Sequence, residues 1–237
     1  MGLYIMLMGV QGAGKGEQSK FITETYGILQ ISTGDLFRAM KTREDPLAKR
    51  IQQIMAEGKL IDDETTNEVV KERLSQPDAA NGVIFDGYPR TPAQADWLES
   101  YLVTKNEHLS LVILLNLDLY IAFKRSFGRV KSKATGKTYN IYYNAEGIEW
   151  EFVEHPDKAL YPPRLKAVDF RTGEELERRP DDASAHAIIK RIDIFTETTQ
   201  PLIDYYDSKG LLHTVDADQP IPAVSEAIKQ LIESVEK

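Results

Sequence analysis

Near its start the chain carries a glycine-rich segment whose spacing suits a bound phosphate. Gly9, Gly12, Gly14 and Gly16 surround Lys15, and the run from Gly9 to Lys15 fits the pattern GxxxxGK. Because glycine has no Cβ, such a loop can curl until successive N–H groups face one anion, and the lysine adds a positive charge. The segment predicts a nucleotide site, with a flexible surface turn as the disfavoured alternative. Gly16 stands where Ser or Thr usually reaches magnesium.

The strands and helices predicted around the glycine-rich segment determine where it lies in the fold. Five short apolar runs predict buried parallel strands separated by helices, and hence a doubly wound α/β fold with a five-stranded sheet. These runs are residues 3–8, 28–31, 83–85, 111–117 and 211–215. Ligands of such folds bind at the carboxyl ends of the strands, which is where the glycine segment follows the first run.

Two helices flank the predicted sheet at opposite ends of the chain. The first is expected from residue 15 to 26, stopped by Gly27, and its N-terminal end favours anions. The last is expected to start near Pro222 and to pack through one stripe at three-to-four spacing. That stripe consists of Val224, Ile228, Leu231 and Val235.

Two segments interrupt this core. Residues 32–61 predict a helical excursion after the second strand. Residues 128–179 are rich in Tyr, Gly, Pro, Lys and Glu, and the alternation over residues 137–143 predicts an antiparallel hairpin. The second segment follows a helix bearing Arg125 and Arg129, so an active-site lid is favoured over a tolerated surface loop.

The charge, the cysteine content and the apolar stretches of the chain exclude several classes of protein. The net charge of −8 over 237 residues argues against a nucleic-acid binder, and the absence of cysteine excludes disulfides and Cys-ligated zinc. No apolar stretch reaches the ~18 residues of a membrane span, and residues 3–8 lack the basic flank of a signal peptide. We therefore expect a cytoplasmic protein without a membrane partner.

Further polar residues follow the predicted strands. Thr33 and Arg38 come after the second strand, whereas Asp86, Arg90 and Gln94 come after the third. Arginine suits phosphoryl transfer because its planar fork holds two phosphate oxygens and stays charged. Six arginines lie in segments that can converge on one cleft: Arg38, Arg90, Arg125, Arg129, Arg179 and Arg191.

Together, residues 7–18, 31–38, 85–94 and 179–191 resemble, in order, the segments of the adenylate kinases, nucleoside monophosphate kinases, in their long-lid form. The resemblance covers essentially the whole chain. It implies the reaction MgATP + AMP ⇌ 2 ADP, with Mg²⁺ accompanying ATP. It also implies a P-loop core (1–31, 62–127 and 180–237), an AMP-binding segment (32–61) and a lid (128–179). We also expect a monomer.

The resemblance further implies roles for single residues. The ATP side comprises Gly12, Ala13, Gly14, Lys15, Gly16, Glu17, Arg125, Arg129, Thr138, Tyr139 and Gln219. The AMP side comprises Thr33, Arg38, Lys59, Leu60, Ile61, Gly87, Tyr88, Pro89, Arg90, Gln94, Arg179 and Arg191. Lys15, the six arginines and Asp86 form the catalytic set, with Asp86 expected to hold magnesium through water.

The lid departs from zinc-binding relatives of that family. Where such lids carry two CxxC pairs, this chain has Ser132, Thr135, Asp169 and Thr172. Hard oxygens are a poor structural zinc set, so we expect a zinc-free lid held by hydrogen bonds.

Other departures leave alternatives open. Glu17 replaces the usual Thr and is expected to point away from the phosphates, favouring the helix start instead. Asp181 and Asp182 are expected mainly to cap the helix that follows, and residues 62–64 to start another. Residues 143–167 have no close match and no predicted role.

Two kinds of alternative function remain. A kinase for UMP or CMP, or one using GTP as donor for AMP, differs only in base recognition, and Thr33 with Gln94 favours adenine at the acceptor site. A nucleotide sensor without transfer activity predicts loss of Lys15 or several arginines, all of which are present.

Overall fold

The computed structural model describes residues 2–57, 61–159, 162–179, 182 and 184–235. The chain divides into two compact units. The first combines Met1–Leu117 with Phe195–Lys237, and the second is Asp118–Ile194. The finer division into core, AMP-binding segment and lid stays a prediction.

The strands and helices follow in chain order. The strands are β1 (Leu3–Gly9), β2 (Leu29–Ser32), β3 (Gly82–Asp86), β4 (Leu111–Asn116), β5 (Arg129–Lys131), β6 (Thr138–Asn140), β7 (Ile148–Val153), β8 (Arg164–Asp169), β9 (Glu174–Glu175) and β10 (Leu212–Asp216). The helices are α1 (Lys15–Tyr26), α2 (Thr33–Met40), α3 (Pro46–Ala56), α4 (Asp63–Leu74), α5 (Pro92–Thr104), α6 (Leu119–Phe127), α7 (Ala185–Ser208) and α8 (Ile221–Val235).

The first unit is built on a five-stranded sheet in the order β10-β4-β1-β3-β2. Every pairing is parallel, which confirms the fold class predicted from the apolar runs. Leu7 of β1 and Ser32 of β2 both pair with Asp86 of β3. The loops that follow these three strands therefore open at the same edge of the sheet.

The helices cover the sheet largely as their patterns predict. α1 is terminated by Gly27, the residue after its last turn, whose φ of +65° is a left-handed conformation that glycine adopts without strain. In α8 the buried residues are Val224, Ile228 and Ile232. The predicted stripe was wrong in its second half, because burial follows the i, i+4 row from Val224 and leaves Val235 41% exposed.

The second unit contains two small antiparallel sheets. β5 pairs with β6, which confirms the predicted hairpin, although the chain turns after Asn140 rather than continuing as a strand to residue 143. β7, β8 and β9 form the other sheet, so the stretch without a prediction supplies most of a β-hairpin. A buried cluster including Val130, Ile148 and Ala167 lies between these strands.

Candidate active site

The glycine segment forms a tight loop between β1 and α1. Gly9, Gly12 and Gly14 have φ values of +151°, +90° and +91°, which side chains with a Cβ rarely adopt. A Cβ on Gly9 would also lie 3.0 Å from the Leu115 carbonyl oxygen. Ala13 N–H donates to the Val10 carbonyl at 3.1 Å, so the loop folds back on itself. Its curvature is the one expected of a phosphate cradle.

Lys15 begins α1 and reaches back over this loop. Its Nζ donates to the carbonyl oxygens of Gly9 at 2.6 Å and Val10 at 3.2 Å. A Cβ on Gly16 would meet no atom within 4 Å, so space is open beside the lysine. Glu17 is exposed, and its N–H donates to the Gly14 carbonyl at 3.0 Å. A cation and a helix N-terminus thus lie together at the carboxyl end of β1.

Thr33 and Arg38 both belong to α2, which starts directly after β2. Thr33 is 2% exposed, and its Oγ1 donates to the Gly87 carbonyl at 2.9 Å. Arg38 lies at the surface and pairs with Asp35 one turn earlier. The short α2 begins at the sheet edge because Ser32 caps it, its Oγ accepting from Asp35 N–H at 3.4 Å.

The residues after β3 form a compact turn. Asp86 Oδ2 accepts from Gln30 Nε2 at 3.0 Å, and the Tyr88–Pro89 peptide is cis. The Tyr88 hydroxyl donates to Asn67 Oδ1 at 2.6 Å, and burial raises the pKa of this phenol well above its ordinary range. Tyr88 is therefore a neutral anchor beneath the turn.

Arg90 and Gln94 are joined at the start of α5. Arg90 Nε donates to the Gly87 carbonyl at 2.8 Å, and Arg90 N–H donates to Gln94 Oε1 at 2.7 Å. Gln94 Nε2 in turn donates to Asp63 Oδ1 at 2.7 Å, while Asp63 Oδ2 accepts from Thr91 Oγ1 at 2.7 Å. Arg90, Gln94 and Asp63 thus belong to one network.

Asp63 is a residue whose role sequence reasoning missed. The start of α4 was correctly predicted, but Asp62 alone caps it, accepting from Thr65 N–H at 2.8 Å. Because one acid is enough to cap a helix, the second acid, Asp63, had no evident purpose in the sequence. That surplus was the signal that could have pointed to another role for Asp63. The neighbouring Lys59 and Leu60, predicted for the AMP side, lie outside the described residues. Ile61 packs against the buried cluster that includes Ile51.

Gln219 and the β6 residues were predicted on the ATP side. In the first unit, Gln219 is exposed and its Nε2 donates to Asp216 Oδ2 at 3.0 Å. In the second unit, Thr138 is exposed whereas the ring of Tyr139 is largely buried, with Lys137 Nζ 4.7 Å from its centroid.

A buried carboxylate organises the arginines of the second unit. Asp182 is fully buried, and its Oδ2 accepts from Arg129 Nε at 2.9 Å while Oδ1 accepts from Arg191 Nη1 at 3.4 Å. Burial lowers the pKa of Arg129 and the charge of Asp182 opposes that shift. The expectation that Asp182 caps α7 was wrong, because Ser184 Oγ accepts from Ala187 N–H at 3.1 Å instead. Asp181 lies outside the described residues.

The two adjacent arginines before Asp182 differ in their surroundings. Arg178 Nη2 donates to the Phe127 carbonyl at 2.8 Å, and its guanidinium lies 4.9 Å from the Phe127 ring centroid. Arg179 is exposed. Arg125 lies at the end of α6, 5.7 Å from the Tyr143 ring centroid. Of Arg178 and Arg179, the latter retains the exposure that a ligand contact requires.

Hydrogen bonds join the quartet that stands at the zinc positions of other lids. Ser132 Oγ accepts from Thr135 N–H at 3.0 Å, and Asp169 Oδ1 accepts from Arg171 N–H at 2.9 Å. Ser132 Oγ also donates to Glu174 Oε2 at 2.7 Å. Thr172 Oγ1 accepts from Glu174 N–H at 3.2 Å. Sequence reasoning missed Glu174, because its partner lies 42 residues away.

Neither a membrane-spanning helix nor a cluster of metal ligands occurs in the described part of the chain. None of its helices is long and apolar enough to cross a membrane. Among the same residues, no group of three or more His, Cys, Asp or Glu side chains is arranged to hold a metal ion.

Known proteins resemble this chain over nearly its whole length. The model of the adenylate kinase family matches residues 7–211. An adenylate kinase of Listeria monocytogenes serotype 4b is 37% identical over 230 residues, covering 97% of this chain and 99% of that protein. Those of Moorella thermoacetica and Bacillus subtilis (strain 168) are 38% and 36% identical, covering 94% and 98% of this chain and 95% and 99% of their own. The chain belongs to the adenylate kinase family.

Proposed function

We propose that the chain transfers the γ-phosphoryl group of MgATP reversibly to AMP, giving two molecules of ADP. The observation that carries this proposal is the register of the first unit, in which Leu7 and Ser32 both pair with Asp86. The phosphate loop after β1 and the polar residues after β2 and β3 consequently share one edge of the sheet. Donor and acceptor phosphates need such a common edge, because in-line transfer requires them to be close.

On the donor side, Lys15 and the loop of residues 12–17 hold the ATP phosphates, while the N–H groups of Ala13 and Glu17 keep the loop folded through their bonds to Val10 and Gly14. We assign Arg125 and Arg129 to the ATP phosphates, and Thr138, Tyr139 and Gln219 to the ribose and base. The left-handed glycines support this assignment, since they allow the backbone to approach the phosphates closely. The Lys15 ammonium must leave the Gly9 and Val10 carbonyls at least in part to meet a phosphate.

On the acceptor side, Arg38 and Arg90 hold the AMP phosphate, and Arg179 and Arg191 stabilise the group in transfer. Thr33, Gln94 and residues 59–61 and 87–89 surround the base and sugar. Fixed guanidinium groups lower the barrier because the transition state spreads negative charge over several oxygens. Arg90 is prepared for this role by its contacts with Gly87 and Gln94.

Adenylate kinases act on ATP with Mg²⁺, and Asp86 fits a role in holding that ion. Its carboxylate offers hard oxygens at the carboxyl end of β3, and one of them is oriented by Gln30. Magnesium, when bound, neutralises charge on the β- and γ-phosphate oxygens. We assign no structural zinc, because the quartet from Ser132 to Thr172 supplies only oxygen atoms, which already form turn hydrogen bonds.

Residues 128–179 act as a lid that closes when nucleotides bind, since water must be kept from the group in transfer. A fluorophore pair on the lid and on the core tests this closure. The two labels should approach each other when a bisubstrate analogue is added, and an unchanged distance would count against it. We further propose a cytoplasmic monomer, which size-exclusion chromatography with light scattering tests for oligomeric state.

The test of the activity is ADP formation after metal chelation and readdition of Mg²⁺, with AMP, UMP, CMP and GMP offered separately. Rapid turnover with AMP alone is expected and supports both the adenine acceptor site and a zinc-free lid. Turnover with UMP or CMP would favour the pyrimidine kinase alternative. Replacing ATP with GTP tests which nucleotide the enzyme prefers as phosphoryl donor. ATP binding without turnover on any acceptor would overturn the proposal and favour a nucleotide sensor.

A further inference from the structure

Gln94 lies between two groups that accept only one orientation of its amide. Its side chain is nearly buried, at 4% exposure, with Oε1 2.7 Å from Arg90 N and Nε2 2.7 Å from Asp63 Oδ1. The backbone N–H of Arg90 can only donate, and an ionised carboxylate can only accept. Rotating the amide by 180° would place donor against donor and acceptor against acceptor, so both neighbours oppose the flip.

Asp63 is itself held in place from the opposite side. Its second oxygen accepts from Thr91 Oγ1 at 2.7 Å, and the same Oγ1 accepts from Gln94 N–H at 3.1 Å as the cap of α5. Asp62 is left to cap α4. The Asp63 carboxylate therefore bridges the start of α4 to the start of α5 and is fixed relative to Gln94.

We infer that Asp63 is a positioning residue that makes the acceptor site select adenine over 6-oxopurines by fixing the Gln94 amide. This inference rests on the proposed function, in which Gln94 contacts the acceptor base. A primary amide has two N–H donors and two acceptor lone pairs. With one donor used by Asp63 and one lone pair by Arg90, one of each remains for the base.

The remaining donor and acceptor of the Gln94 amide match the hydrogen-bonding edge of adenine. Adenine offers an amino donor at N6 and an acceptor at N1, so Gln94 Oε1 accepts from the former while Nε2 donates to the latter. Guanine and hypoxanthine carry an oxygen acceptor at position 6 and an N1–H donor, which is the reverse pattern. A fixed amide leaves these bases with unpaired polar groups, and a site built on hydrogen bonds rejects such ligands strongly.

The test compares kcat/KM for AMP and for IMP in the wild type and in Asp63→Ala. The variant should raise KM for AMP roughly tenfold, with a smaller effect on kcat, because a charge-assisted hydrogen bond is lost. The preference for AMP over IMP should fall roughly tenfold as well, because the amide can now rotate. An unchanged preference in the folded variant would overturn the inference.

A double-mutant cycle separates positioning from general structural damage. Gln94→Leu should lower the preference by itself, and adding Asp63→Ala to it should change the preference no further, because Asp63 acts through the amide. Additive effects would contradict this. Asp62→Ala is the matched control, since it weakens the start of α4 by ~1 kcal/mol without touching Gln94 and should leave the preference unchanged.

A second variant and the activity of the wild type separate a failure of this inference from a failure of the proposed function. Should Asp63→Ala fail to fold by circular dichroism, Asp63→Leu replaces it, because leucine fills a similar volume without an acceptor for Gln94 Nε2, and it should lower the preference in the same direction. A wild-type preference retained in folded Asp63→Leu would then overturn the inference. Wild-type protein that phosphorylates neither AMP nor IMP would instead refute the proposed function.

Discussion

Asp182 Oδ2 accepts a hydrogen bond from Arg129 Nε at 2.9 Å, with the carboxylate fully buried. The other carboxylate oxygen accepts from Arg191 Nη1 at 3.4 Å, and the backbone carbonyl of Asp182 accepts from Arg178. A buried charge is tolerated only when it is paired and hydrogen-bonded. Asp182 therefore holds the guanidinium groups of Arg129 and Arg191 at a fixed separation before any phosphate binds.

Replacing Asp182 with Asn should lower kcat by on the order of 10²-fold, because displacing a reacting group's partners by about 1 Å costs that much. Thermal stability should fall too, since a hydrogen bond to a charged group contributes ~1.5–3 kcal/mol. Coupled-enzyme kinetics and a melting curve measure both. The exposed Asp193 on α7, the helix that follows Asp182, supplies the control as Asp193→Asn. Equal kcat in the two variants would show that Asp182 does not organise the site.

Arg90→Ala should reduce kcat/KM for AMP by about 10²–10³-fold, since it removes a fixed cation from the phosphate under transfer. The loss is measured by ADP formation at limiting AMP. Arg73 offers a matched control, because it carries the same charge but forms a surface ion pair with Asp78 at 2.7 Å. Arg73→Ala should stay near wild-type activity. Near-normal kcat/KM in Arg90→Ala would show that the assignment is wrong.

The parallel sheet was predictable because strands buried on both faces are continuous apolar runs, as residues 83–85 and 111–115 illustrate. The β7 strand had a signal that went unused. Ile148, Trp150 and Phe152 alternate with Glu149 and Glu151, a pattern that predicts a strand, although only Ile148 of the three apolar residues is buried. The local sequence pattern therefore carries the signal for these strands, but it does not carry the exposure of Trp150 and Phe152, which are 41% and 45% exposed.

The polar contacts of the site were not predictable in the same way. Asp63 meets Gln94 across 31 residues, and Arg129 meets Asp182 across 53. Such pairs depend on how separate elements pack, and spacing along the chain carries no trace of that packing. Asp182 was misassigned because a helix cap depends on which residue starts the helix, and Ser184 takes that position.

Glu17→Gln should leave kcat/KM for ATP within about twofold, because the exposed carboxylate at the start of α1 does not face the phosphates in our proposal. The same substitution should lower the free energy of unfolding by ~0.3–1 kcal/mol, since the acid favours the helix N-terminus. Steady-state kinetics and urea unfolding measure the two effects. Glu24→Gln, nearer the other end of α1, removes only an exposed ion pair with Lys20 at 3.9 Å and should lower the stability less. A tenfold gain in kcat/KM for Glu17→Gln would instead place the carboxylate against the phosphates.

The contact between Ser132 and Glu174 should make the stability of the β5–β6 turn depend on pH. Glu174 Oε2 accepts from Ser132 Oγ at 2.7 Å and Oε1 accepts from Ala134 N–H at 3.1 Å. These hydrogen bonds hold the pKa of the carboxyl below its ordinary 4.5. Because the folded pKa is the lower one, the contact contributes fully above pH 4.5 and is lost as the pH falls through the folded value.

Hydrogen-exchange protection factors for the amide of Ala134 measure this effect, within the range where circular dichroism remains native. Wild-type protein should show greater protection than Glu174→Gln at pH 6, and the difference should shrink as the pH drops below 4.5, because protonation makes the carboxyl resemble the neutral amide. Glu175→Gln alters an exposed neighbour in β9 and should follow the wild type at every pH. If Glu174→Gln also followed the wild type at pH 6, the turn would be held by its backbone hydrogen bonds, such as that from Gly136 N–H to the Ser132 carbonyl at 3.0 Å, rather than by the carboxylate.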